Sequence, residues 1–316
     1  MDPLSPEQCQ FGFLRAGFSP SRSPYYFDQD LFYYSGRELC HYTDLNGLFG
    51  IVASGGFWLS DHRFLNDTEE FENGRNLTKM ILKDLSKKPR YQAFSEVLSE
   101  TCRFLEEYRE AAHYVCSFSS ESDSLEQWRA YGQNGQGLSI VFDNERKSLS
   151  HFFVMPIMSP TKVIYDKKKK TKIILRTIKK FKQEFLVDID YGNPIDIEDW
   201  SEHLSKVLAV EFLNFKHPAY SSEKEVRLIV SGGHLHHFKG LKHRVGKDRI
   251  IPYVTSKDLY NESFYDHADT KSLPIKEIVV GPTTNQEITA RSIEEYLGNQ
   301  GYGDVVVSRS RVPYRG

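Results

Sequence analysis

Residues 38–60 read as strand, helix and strand in immediate succession, and that order commits the chain to a sheet with helices laid against it. Leu39-Cys40-His41-Tyr42-Thr43 has the make-up of a short strand. Asp44 can accept from the free amides of a helix start, and Leu45, Leu48, Phe49 and Val52 recur at helical spacing up to Ala53. Gly55-Gly56 supplies the stop, and Phe57-Trp58-Leu59-Ser60 returns to a strand pattern.

The same alternation continues. Helices are predicted over Asp67–Asp84, Tyr91–Ala112 and Leu125–Tyr131, with strands at Ala112–Ser119, Gly137–Phe142, Phe152–Met155 and Lys162–Tyr165. Residues 167–215 are mainly helical, broken by the turn residues Tyr191-Gly192-Asn193-Pro194. The run Lys167-Lys168-Lys169-Lys170 reads as a solvated helix start. Strands resume at Glu225–Val230, Leu235–Phe238, Ile250–Val254, Ile278–Val280 and Val305–Ser308, the last two flanking a helix at Glu287–Tyr296. There is no repeat at solenoid spacing. The expected fold is therefore α+β: one domain over residues 38–316 with a single mixed or antiparallel sheet and a helical insertion near 167–215. Residues 1–37 hold four prolines and many aromatics, which suits an arm packed on the body or covering a partner.

Charge narrows the function. In 316 residues, 41 Lys+Arg against 43 Asp+Glu leave a net charge of −2, too little basic excess for a broad nucleic-acid footprint. No run reaches the roughly 18 apolar residues of a membrane span. Cys9, Cys40, Cys102 and Cys116 are far apart, so neither a disulfide framework nor a Cys-rich zinc module is expected. The N-terminus lacks the pattern of a secretory leader, and a cytoplasmic protein is the expectation.

Four constellations could carry chemistry. His41-Tyr42-Thr43, one helix, and Trp58-Leu59-Ser60 can bring His41 and Ser60 to one cleft. An imidazole there can serve a ribose hydroxyl, and Tyr42 a planar ring; a half-buried His and Tyr with backbone partners is the plainer account. In Glu223-Lys224-Glu225-Val226-Arg227-Leu228, strand alternation would point Glu223, Glu225 and Arg227 one way and Val226, Leu228 and Val230 the other. Adjacent carboxylates raise the proton affinity of at least one, while Arg227 pulls the other way. Such a group can stabilise positive charge or take a hydroxyl proton; the alternative is an exposed edge with a Glu–Arg pair. Asn66-Asp67-Thr68-Glu69-Glu70 has capping-box logic, with Asn66 or Glu69 as weaker site candidates. Finally, Cys116-Ser117-Phe118-Ser119 leads to Asp123, Trp128 and Tyr131; Trp128 and Tyr131 share a helix face as core or as a stacking wall.

Other signals fail. Gly132-Gln133-Asn134-Gly135-Gln136-Gly137 precedes a strand and has the wrong order for a dinucleotide fingerprint, and neither a P-loop nor GxSxG occurs. His234-Leu235-His236-His237 has no evident carboxylate or Cys partner for a metal. Gly281–Asn285 before a helix could hold an anion or be a plain cap.

The series HYT at His41, LSDxxFLND at Leu59, CSFS at Cys116, WRAYG at Trp128, EKEVR at Glu223, VGP at Val280 and SRVPYR at Ser310 resembles an uncharacterised bacterial domain family over about residues 38–316. More loosely, the H-x-T strand, the helix ending IVASGG, FWLS and the late E-x-E strand are similar to ADP-ribosyltransferases, including DNA-modifying toxins. That resemblance implies the fold of that superfamily and NAD as substrate, with no metal. Residue by residue it implies His41 on the ribose, Tyr42 or Ser60 in the nicotinamide pocket, Glu225 as the catalytic acid and Glu223 activating an acceptor. Thr43, Trp128, Tyr131 and Arg227 complete the expected cofactor-binding set. The expected activity is ADP-ribosyl transfer to a macromolecule or NAD hydrolysis, in bacterial defence or as a toxin. Expected partners are NAD or a related nucleotide and an acceptor, with nucleic acid entering only as acceptor and no membrane. A non-catalytic nucleotide- or protein-binding module is the first alternative. A metal-dependent nucleic-acid processing enzyme using Glu223, Glu225 and Asp67 is the second.

Overall fold

Short runs rich in valine, isoleucine, leucine and phenylalanine, each ended by a turn residue, assemble into one open sheet. The computed structural model describes residue 32 and residues 34–65, 68–107, 112–144, 160–231, 240–246, 248–258 and 273–313. Its strands are β1 (Glu38–Thr43), β2 (Trp58–Asp61), β3 (His113–Ser119), β4 (Leu138–Asp143), β5 (Thr161–Lys162), β6 (Glu225–Ser231), β7 (Lys242–Val245), β8 (Ile250–Thr255), β9 (Ile275–Val280) and β10 (Val306–Arg309). They form a ten-stranded sheet in the order β10-β9-β4-β1-β3-β2-β8-β7, with β6 on β3 and β5 on β6. Only β9 and β10 run parallel among the described ladders, so the sheet is mixed.

One pairing detail shapes the molecule. β6 covers one edge of β3 from His113 to Ser119. On the opposite edge β2 meets β3 only at Tyr114 and Val115, and β1 meets it only at Ser119. Among the described residues Cys116, Ser117 and Phe118 have no strand on that edge. The sheet therefore opens into a slot between β1 and β2, with β3 running along it.

Helices cover both faces. Helix α1 (Leu45–Ser54) starts where Asp44 accepts from the Gly47 amide at 2.7 Å and stops at Gly55, whose φ of 64° is left-handed. The sequence pattern put Leu45 and Phe49 on its buried face; instead Leu48, Ile51 and Val52 are buried, while Leu45 is 50% and Phe49 60% exposed. Phe49 stacks on Tyr296, 5.5 Å away on helix α7 (Gln286–Asn299), which shares this apolar layer. The buried α1 side chains contribute roughly 1.5–3 kcal/mol each before entropy.

The other face carries α2 (Thr68–Ser86), α3 (Ser95–Glu107), α5 (Lys167–Asp190) and α6 (Ile197–Phe212), packed through Phe94, Ile174, Phe181, Leu204 and Phe212 onto Val115 and Ile229. The short α4 (Leu125–Ala130) lies near the end of β1 and places Trp128 against Tyr42. The predicted helical insertion is thus α5 and α6, and the break at Tyr191-Gly192 is present, with Gly192 at φ 67°. Some element bounds shift and one strand is new. The predicted Tyr91–Ala112 helix begins as 3-10 turns over Pro89–Phe94, the Lys162–Tyr165 strand shrinks to β5, and β7 was not foreseen. Of the aromatic arm, buried Phe32 packs on Phe215 with ring centres 6.4 Å apart. The rest of residues 1–31, the Phe152–Met155 and Leu235–Phe238 strands, Asn66, Asp67, and His234, His236 and His237 lie outside the described residues.

No helix among the described residues is long and apolar enough to cross a membrane.

Candidate functional site

The slot widens into a cleft of about 720 Å³. His41, Tyr42, Thr43, Ser60, Tyr131, Glu223 and Glu225 border it; Trp128 and Arg227 do not. The convergence follows from the split sheet. Alternation sends His41 and Phe118 to one face of the sheet and Ser117, Ser119 and Glu225 to the other, and only an opening between strands lets both sets meet.

Ser117 joins the two sides. Its carbonyl, left without a strand partner among the described residues, lies 3.0 Å from His41 Nδ1, and its hydroxyl helps to lower the Glu225 pKa. A carbonyl only accepts, so Nδ1 carries the proton and Nε2 is left with its lone pair. Burial lowers the His41 pKa, the Ser117 contact opposes this, and the Arg244 charge adds to the lowering. The imidazole is held neutral, an acceptor through Nε2.

The acidic side differs from simple strand alternation. Glu223 ends a 3-10 turn (Pro218–Glu223), Lys224 takes a left-handed φ of 46°, and β6 begins only at Glu225. What brings the two carboxylates together is Lys216, 1% exposed, which follows the exit of α6. Its ammonium lies 2.6 Å from Glu223 Oε2 and 3.1 Å from Glu225 Oε2. Arg227 grips Glu225 from its own strand, Nε to Oε1 at 2.6 Å and Nη2 to Oε2 at 3.0 Å, and donates Nη1 to the Leu213 carbonyl at 2.6 Å. Burial alone would push the Glu225 pKa up; Arg227, Lys216 and the Ser117 hydroxyl outweigh it and hold it at about 2. The expectation that crowding raises the proton affinity of one carboxylate fails for Glu225, because two cations share the site. Arg227, expected among the cofactor-binding residues, is buried, held to Glu225 and Leu213, and does not border the cleft.

Trp128 likewise lies off the cleft. It is 0% exposed, donates Nε1 to Asp123 Oδ1 at 2.7 Å and packs edge-on to Tyr42 at 4.7 Å. Tyr131 sits just past the end of α4 and leaves that buried face. It is 44% exposed, and its hydroxyl donates to Glu223 Oε1 at 3.2 Å. Tyr42 borders the cleft but spends its hydroxyl on the Glu121 carbonyl, at 2.9 Å, and the Ser124 amide, at 3.0 Å. The glycine-rich loop contributes Gln133, whose amide donates to Asp44 at 2.8 Å. Its Gly137 sits where a Cβ would come within 2.4 Å of the Thr43 carbonyl, so the glycine serves close backbone packing.

Three residues absent from the predicted set matter here. Lys216 gave no local sign, since only the closed fold brings it to the glutamates. Trp58 borders the cleft and stacks on Tyr253 at 4.8 Å, a role a lone strand aromatic does not announce. Arg244 on β7 donates Nη2 to Ser60 Oγ at 3.1 Å. The runs Lys242–Val245 and Ile250–Thr255 flanking Gly246 form a hairpin pattern that could have exposed it. Among the described residues no group of three or more His, Cys, Asp or Glu is arranged to hold a metal. A divalent ion between Glu223 and Glu225 would have to displace Lys216.

Residues 127–228 match the model of a family described as "Protein of unknown function (DUF2971)". That stretch holds Tyr131, Lys216, Glu223, Glu225 and Arg227, the acidic side of the cleft, but not His41, Ser60 or Arg244. No curated protein and no solved structure matches the chain.

Proposed function

We propose that the cleft binds an NAD-type dinucleotide and that the chain breaks its nicotinamide–ribose bond, passing ADP-ribose to a macromolecule or to water. The observation that carries this reading is a neutral imidazole, His41, and an ionised carboxylate, Glu225, bordering one slot with Glu223 beside them. His41 Nε2 accepts from a ribose hydroxyl. Glu225, fixed as a carboxylate, accepts from a second ribose hydroxyl and faces the ribose as positive charge develops at the anomeric carbon. Nicotinamide leaves with the bonding electron pair. The acceptor oxygen or nitrogen forms the new bond, and its proton passes to Glu223. Preorganised groups of this kind supply several kcal/mol because they do not reorient during the step.

A second reading, a nucleotide-binding module without catalysis, has one observation in its favour: both oxygens of Glu225 already accept from cations. One experiment separates the two. Purified protein is incubated with NAD and free nicotinamide is followed, alongside calorimetric NAD titration, for the parent chain, Glu225→Gln and His41→Ala. The enzymatic reading expects release by the parent, its loss in Glu225→Gln with folding retained, and weaker NAD binding in His41→Ala. Binding without release supports the module, and an absence of binding sinks both.

A further inference from the structure

The cations around the cleft are not alike. Lys216 and Arg227 are spent on Glu223 and Glu225. Arg244, half-buried and bordering the same cleft, has no acidic partner among the described residues. One Nη2 contact reaches Ser60 at 3.1 Å, and its Nε is buried without an acceptor. A guanidinium presents its donors as a planar fork that matches two oxygens of a phosphate, and one held out of water without a counter-ion is unbalanced. Ser60 accepts from Arg244, so its own hydroxyl proton is free to donate into the cleft. Trp58, stacked on Tyr253, closes the adjoining wall.

We propose that Arg244 and Ser60 form an anion subsite that takes the diphosphate of the nucleotide bound in the cleft. The identity of the nucleotide rests on the NAD reading above; the subsite rests on Arg244 and Ser60 alone. The guanidinium takes two phosphate oxygens through Nη1 and the remaining Nη2 hydrogen, and Ser60 supplies a third donor. No bond is made or broken there.

The test is calorimetric titration of the intact protein with inorganic pyrophosphate, ADP-ribose and NAD, for the parent, Arg244→Gln, Arg244→Lys and Ser60→Ala, each checked by thermal unfolding. The subsite expects pyrophosphate and ADP-ribose to bind the parent, with affinity falling roughly 10- to 100-fold in Arg244→Gln. Arg244→Lys should fall between, because it keeps charge and loses the fork, and Ser60→Ala should lose less than Arg244→Gln. Pyrophosphate that fails to bind the parent, or that binds a folded Arg244→Gln equally well, overturns the proposal. NAD bound undiminished by Arg244→Gln overturns it too, while leaving the NAD reading standing. Pyrophosphate binding that depends on Arg244, in a chain that neither binds NAD nor releases nicotinamide, upholds the subsite and removes the NAD reading.

Discussion

Replacing Lys216 by methionine tests whether the paired acids depend on their buried cation. The wild-type group holds two carboxylates and two cations, all nearly removed from solvent, and is neutral overall. Lys216→Met keeps much of the side-chain volume and leaves one uncompensated negative charge. At an effective dielectric near 20, each Lys216–carboxylate contact carries roughly 5–6 kcal/mol of gross attraction. Desolvation offsets most of it, and breaking such a buried pair costs about 3–5 kcal/mol. Urea unfolding at a series of pH values is the assay. At neutral pH the variant should lose that amount. As pH falls, the excess charge is relieved when one carboxylate, its pKa now raised, takes a proton. The difference from wild type should therefore shrink toward pH 4. Lys216→Met combined with Glu223→Gln restores neutrality, so the double variant should be more stable than the sum of the single effects predicts. A Lys216→Met cost that is below 1 kcal/mol or flat with pH, or strict additivity in the double variant, would refute the charge-balance argument.

Two further outcomes follow from groups around the site. His113 is 3% exposed, both ring nitrogens lack partners among the described residues, and burial, with His62 and Arg63 nearby, lowers its pKa to about 3. A depressed imidazole binds protons more readily when unfolded, so its contribution is full above about pH 6.5 and is lost as pH falls from there toward 3. Stability should drop by about 1.4 kcal/mol per pH unit through that window on account of His113 alone, and His113→Phe should flatten the profile in chemical denaturation; an unchanged slope would count against it. Gly137→Ala sets a Cβ against the Thr43 carbonyl, where neither backbone can yield cheaply. We expect a loss of about 1–3 kcal/mol, read as a lower thermal midpoint, and an unchanged midpoint would show that the loop moves aside.

The strand-helix-strand unit at residues 38–60 was legible because every part of it is local: a capping aspartate, a glycine stop and periodic apolar residues. Val226, Leu228 and Val230 were legible as a buried face for the same reason, since alternation along one strand needs no partner. Glu223 shows where that logic ends. It was placed on β6 by counting back two residues, but the left-handed Lys224 interrupts the strand, and its carboxylate arrives beside Glu225 through Lys216. Trp128 and Tyr131 share a face only while the helix continues, and it stops at Ala130. The slot itself has no signature in any single segment. It arises because β1 and β2 reach β3 at opposite ends, a property of strand order that residue patterns do not carry.

Charge accounting at the atoms divides the labour between the two glutamates. Glu225 meets cations at both oxygens, Arg227 Nε at Oε1 and both Arg227 Nη2 and Lys216 at Oε2. Among the described residues Glu223 meets a cation, Lys216, at Oε2 only, and its Oε1 accepts from the Tyr131 hydroxyl at 3.2 Å, a long contact for an O–H donor. Of the four carboxylate oxygens, Glu223 Oε1 is thus the one whose charge is least offset and whose partner is most easily exchanged. A group so placed is suited to accept a proton from an incoming hydroxyl or amine, because taking that proton does not first require a cation to leave. Glu225 is suited to the opposite task. Held ionised far below neutral pH, it stays an acceptor for a ribose hydroxyl throughout a reaction cycle and has little capacity to act as a proton store. The two cations that weaken Glu225 as a base are the same ones that fix its position, so the arrangement favours a stationary carboxylate beside an exchangeable one over two interchangeable bases.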